Sequence, residues 1–95
     1  MKRHDIERIL KEQKQYLADN FFVEKIGIFG SYAREQQSED SDIDILVEFS
    51  RPVGFTFIDL KDYLECLFNK PVDLVTVNAL KPLIKEEILN EVHFQ

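Results

Sequence analysis

Apolar residues along this chain recur at two different spacings, and the switches between them mark its elements. Over residues 5–18, Ile6, Ile9, Leu10 and Leu17 fall at helical spacing, while Glu7, Lys11, Glu12 and Lys14 lie off that face. This predicts a surface helix packed on something flatter, with Asp5 as its N-cap. Residues 23–29 read as a short strand ending at Gly30-Ser31, residues 31–37 as a brief helix, and Ser38-Glu39-Asp40-Ser41 as a polar loop. A second strand is predicted over residues 42–49. Ile43, Ile45, Val47 and Phe49 point one way there, and Asp42, Asp44, Leu46 and Glu48 the other. A loop at Ser50-Arg51-Pro52-Val53-Gly54 leads to a helix over residues 56–68, whose apolar stripe is Phe57, Leu60, Leu64, Leu67 and Phe68. Asn69-Lys70-Pro71 turns the chain into a third strand, residues 72–77, which carries Asp73. The last helix is predicted over residues 80–92, with Pro82 in its first turn and Leu80, Ile84, Ile88 and Val92 toward the core.

Helices alternating with apolar strands indicate an α/β fold, here a small mixed β-sheet flanked by helices. A length of 95 residues fits one domain, spanning residues 1–95, with a modest core that a partner surface could supplement. Phe21-Phe22, Phe55 and Phe57 are the aromatic candidates for that core.

Composition narrows the class. With 44% hydrophobic and 32% charged residues the chain reads as soluble and globular. No apolar run approaches a membrane span, and Met1-Lys2-Arg3-His4-Asp5 shows no apolar signal core, so no membrane association is expected and the cytoplasm is the expected compartment. The lone Cys66 cannot form an internal disulfide. A net charge of −6 argues against direct nucleic-acid binding and suits docking on a basic protein or a site rich in carboxylates. His4 and His93 have no ligand-spaced companions that would suggest zinc.

The candidate chemistry lies in Gly30-Ser31-Tyr32-Ala33-Arg34 and, after a short gap, Ser41-Asp42-Ile43-Asp44. Two aspartates one residue apart on a strand project from the same face and can converge on hard cations such as magnesium. Asp73, the one acidic residue of an apolar strand, is the candidate third carboxylate. Two metal ions held in this way clamp the attacking and leaving oxygens of an in-line nucleotidyl transfer. Gly30-Ser31 lies where a strand gives way to a helix, so unpaired backbone N–H groups and the Ser31 hydroxyl are available to phosphate oxygens, and Gly30 permits close approach. Each feature alone has an ordinary reading as a turn, a solvated strand edge or a surface cation. Their order and spacing together carry the functional one.

These residues resemble the signature of the DNA-polymerase-beta-like nucleotidyltransferase superfamily, Gly-Ser followed by Asp-x-Asp and a later Asp on another strand. Gly-Ser-Tyr-Ala-Arg with Ser-Asp-Ile-Asp-Ile-Leu-Val looks like its minimal nucleotidyltransferase, or MNT, group, and the likeness extends over nearly the whole chain. The resemblance implies that Asp42 and Asp44 bind catalytic Mg2+, with two ions involved. It implies that Asp73 binds metal or helps deprotonate the attacking hydroxyl. Gly30 and Ser31 would hold the phosphates of ATP, with Arg34 a motif arginine beside them. It further implies an antitoxin that transfers AMP to a tyrosine of a partner HEPN ribonuclease toxin; a homo- or hetero-oligomer is left open, since the sequence does not reveal the oligomeric state. One position departs from the motif: Glu35 stands where glycine is usual. If that position requires positive φ, glutamate is strained there; if it faces the phosphates, it repels them.

Two other readings remain open at this point. The same fold could neutralise a toxin by contact alone, with the aspartates vestigial. It could also modify a small molecule, although such enzymes usually need a further domain to build the acceptor pocket.

Overall fold

The computed structural model describes all residues, 1–95. Its elements in chain order are helix α1 (Arg3–Phe21), strand β1 (Val23–Phe29), short helix α2 (Gly30–Ala33), strand β2 (Ile43–Phe49), helix α3 (Thr56–Phe68), strand β3 (Val72–Thr76), a 3-10 turn at Val77–Ala79, helix α4 (Pro82–Glu91) and strand β4 (His93–Phe94). The strands form one sheet in the order β3-β2-β1-β4. β1 runs antiparallel to both β2 and β4, whereas β2 and β3 are parallel. The parallel pair needs a crossover, and α3 supplies it. The sheet is therefore mixed and flanked by helices, as the sequence pattern predicts.

The alternation in β2 decides which face is covered. Ile43, Ile45 and Val47 are fully buried, together with Ile26 and Ile28 of β1, against Ile6, Leu10 and Leu17 of α1 and Leu60 and Leu64 of α3. Burying each such side chain contributes about 1.5–3 kcal/mol before entropy is counted. Leu46, on the face shared with Asp44, is also fully buried but stands apart from this cluster.

Several boundaries differ from the sequence reading. α1 starts two residues before Asp5, and the Asp5 carboxylate caps it from inside the first turn by accepting the Lys2 backbone N–H at 2.9 Å. The helix stops where Phe22 turns left-handed, at φ 59°. α2 is a single turn rather than a helix through residue 37. β2 starts at Ile43, so Asp42 stands just outside it.

The predicted core face of the last helix is not one. No residue of α4 is buried, Ile84 is 45% exposed and Leu83 is 95% exposed. Helical periodicity marked an apolar stripe, but the fold brings only partial cover to it. Phe21 and Phe57 do pack against the core. Phe55, also expected in the core, is 84% exposed, because it precedes the first turn of α3 and no element lies over it.

β4 was not predicted at all. It is held on β1 opposite Gly27 and Ile28, and the Gln95 N–H donates to the Ile26 carbonyl. The approach is tight: a β-carbon on Gly27 would sit 2.4 Å from the His93 carbonyl oxygen, so only glycine fits there.

Candidate active site

Strand register gathers the candidate residues at one end of the sheet. Asp44 is the second residue of β2. In the antiparallel direction it pairs with Phe29, the last residue of β1, which places Gly30 directly beyond it. In the parallel direction it pairs with Asp73, the second residue of β3. Partners in register point to the same face, so Asp44 and Asp73 stand side by side. Asp42 lies one residue before β2 and is exposed. Asp44 and Asp73, with Asp42 just ahead of β2, and the glycine turn thus lie at the same end of the sheet, where β1 ends and the parallel pair begins.

The electrostatics follow from that crowding. The Asp44 carboxyl is pushed up to about 6, first by its partial burial, then by the charges of Asp73 and Asp42 and by a hydrogen bond with Asp73, while Arg34 pulls in the opposite direction. Asp73 is exposed and Asp44 half-buried, so the pair has one face open to an incoming group. As they stand, no three acidic, histidine or cysteine side chains close on a common point. The donor set is nonetheless all oxygen, of the kind that suits magnesium. A divalent cation would also offset the repulsion from Asp73 and Asp42 that adds to burial in raising the Asp44 carboxyl.

Gly30 is constrained twice. Its φ is +73°, a conformation that side chains disfavour, and a β-carbon there would run into the Asp44 carboxylate. Its backbone N–H, expected to face a phosphate, donates instead to Oε2 of Glu91 at 3.0 Å. Arg34 follows the last turn of α2. Its guanidinium donates from one terminal nitrogen to Oε1 of the same Glu91 and from Nε to Oε1 of Gln36 at 3.2 Å. Ser31 sits between them, partly exposed, with no side-chain hydrogen bond in the molecule.

Glu91 was not singled out by sequence reasoning. It lies 61 residues from Gly30, and one glutamate among several in a surface helix carries no local signal. Glu35 does adopt the positive φ that the motif glycine implies, at 58°. Its side chain turns away to Arg3 of α1, with a charge-to-charge separation of 3.9 Å, and does not join the carboxylate cluster. Of the two expected costs, strain is therefore present.

Comparison with known proteins adds an independent line. Residues 6–94 match the family model described as the nucleotidyltransferase domain. The protein adenylyltransferase MntA of Thermococcus cleftensis is 47% identical over 89 residues, which take in 93% of this chain and 90% of that protein. A solved structure of a candidate minimal nucleotidyltransferase superposes with a TM-score of 0.82 at 32% identity, covering 98% of this chain and 95% of that one. A chain from the complex of tri-AMPylated Shewanella oneidensis HEPN toxin with MNT antitoxin superposes with a TM-score of 0.66, covering 93% of this chain and 69% of that one. At 21% identity that last likeness is one of fold.

Proposed function

The chain belongs to the nucleotidyltransferase domain family, and from that premise we propose that it is a magnesium-dependent antitoxin that transfers AMP from ATP to a tyrosine hydroxyl of a partner HEPN ribonuclease toxin. The observation that carries this reading is the register of Asp44 with Asp73 beside the Gly30 turn. It brings carboxylates and a phosphate-accepting backbone to one sheet end. The names of the similar proteins, a protein adenylyltransferase and an MNT antitoxin with its AMPylated toxin, support the choice of nucleotide and partner.

In this reading Asp42, Asp44 and Asp73 would hold magnesium, two ions being expected, which when bound would offset the charge of the triphosphate. Ser31 donates its hydroxyl to a phosphate oxygen, and Arg34 offsets the charge of the leaving group. The tyrosine oxygen attacks the α-phosphorus, and the bond from phosphorus to the bridging oxygen breaks. Pyrophosphate leaves with that electron pair. Asp73, the carboxylate exposed at the rim, takes the hydroxyl proton. Half-buried Asp44 stays ionised once a cation offsets its neighbours.

The test is to incubate the protein with the protein encoded beside it, ATP and magnesium, and to record intact masses. One or more added AMP groups on the partner, lost with Asp44→Asn, is the expected result. A stable complex with no added mass would replace this reading with neutralisation by contact alone.

A further inference from the structure

The two groups best placed to meet an anion at the end of β1 already hold one. Gly30 N–H and the Arg34 guanidinium bind the two oxygens of a single carboxylate, that of Glu91. A backbone N–H on one oxygen and one terminal guanidinium nitrogen on the other are contacts that two oxygens of a phosphate group could also accept. The Glu91 side chain is only 21% exposed, so it lies in the site rather than over it.

Local forces do not favour that position. Glu91 is the last residue of α4, where the helix dipole disfavours a carboxylate. Its contacts with Gly30 and Arg34 are what hold it there. α4 itself is lightly anchored, since it contributes no buried side chain. A triphosphate and the Glu91 carboxylate cannot share the Gly30 N–H, and their like charges repel.

We propose that Glu91 is a built-in competitor for the phosphate site, which nucleotide must displace, with movement of α4, before it can bind. This rests on the nucleotidyl-transfer reading given above and adds a residue that sets nucleotide affinity. An occupied fraction of the site lowers apparent affinity in proportion to the fraction left open. For charge-assisted contacts of this kind, about a tenfold effect is expected.

Binding of ATP with magnesium is measured by calorimetry for the unaltered chain, Glu91→Gln and Glu87→Gln. Glu87 is exposed on the same helix, so its variant makes the same change in net charge without touching Gly30. Tighter binding by about tenfold in Glu91→Gln alone is the expected result. Equal or weaker binding by Glu91→Gln, with the unaltered chain binding normally, overturns the inference and leaves nucleotidyl transfer standing. Absence of nucleotide binding in all three proteins overturns both. Should Glu91→Gln fail to fold, hydrogen exchange in the unaltered chain decides the matter. ATP should speed exchange of the α4 amides, and slower exchange would show that nucleotide and Glu91 bind together.

Discussion

Gly30 and Asp44 stand so close that a β-carbon on the first would lie 2.1 Å from Oδ2 of the second. The turn and the carboxylate are thus one unit, although fourteen positions separate them in sequence. Gly30→Ala must either displace the Asp44 carboxylate or distort a backbone already at positive φ. We expect AMP transfer to fall by at least about 100-fold, the scale of losing one charge-stabilising group, and stability to fall by about 1–2 kcal/mol. Intact-mass assays and urea titration check the two effects separately.

Asp44 also makes stability depend on pH in an unusual direction. Its folded pKa of about 6 lies above the value near 3.9 of an unfolded aspartate. The folded state therefore binds this proton more tightly, and the contribution of Asp44 to stability falls as pH rises from about 4 through 6. Without magnesium, Asp44→Asn should melt above the unaltered chain at about pH 8, and the gap should close toward about pH 4. Adding magnesium should raise the melting temperature of the unaltered chain more than that of the variant. A gap that widens on acidification would show that burial and neighbouring charge do not raise the Asp44 carboxyl in the folded state.

Glu35 offers a stabilising change. It holds φ at 58° and gains only a long, exposed contact with Arg3. Glycine at this position removes the strain but makes the unfolded chain more flexible, and the two effects partly cancel. Glu35→Gly should therefore raise stability by about 0.5 kcal/mol, read by denaturant titration, with nucleotide affinity unchanged because the side chain does not face the carboxylates.

Gly27 is the position on which the terminal strand depends. Gly27→Ala pushes a methyl group into the His93 carbonyl and should detach β4 from β1 while sparing the core. The Gln95 amide, which donates to the Ile26 carbonyl, should then exchange at least about tenfold faster with solvent. Unchanged exchange would mean that β1 shifts to accommodate the methyl group.

The carboxylates were legible in the sequence because strand alternation is strictly local. Asp42-Ile43-Asp44 on a strand, and one acid inside Val72-Asp73-Leu74-Val75, already announce a polar site on an apolar scaffold. The pairing of Asp44 with Asp73 was not visible there, since register is set by tertiary packing. β4 escaped notice because two residues have no periodicity. The role assigned to α4 failed for a related reason. Leu80, Ile84 and Ile88 obey helical spacing, but spacing does not reveal whether anything lies opposite. Glu91 combines both problems, as a surface glutamate whose partner is 61 residues away.

Every buried residue of this protein lies between Ile6 and Leu74. The segment carrying Glu91 is therefore held by surface contacts and the short pairing of β4 rather than by core burial, and we expect it to open locally at a lower free-energy cost than global unfolding. A melting curve read from the core would be nearly blind to that segment. Two variants with identical melting temperatures could then differ in how often the end of β1 is free to accept a ligand.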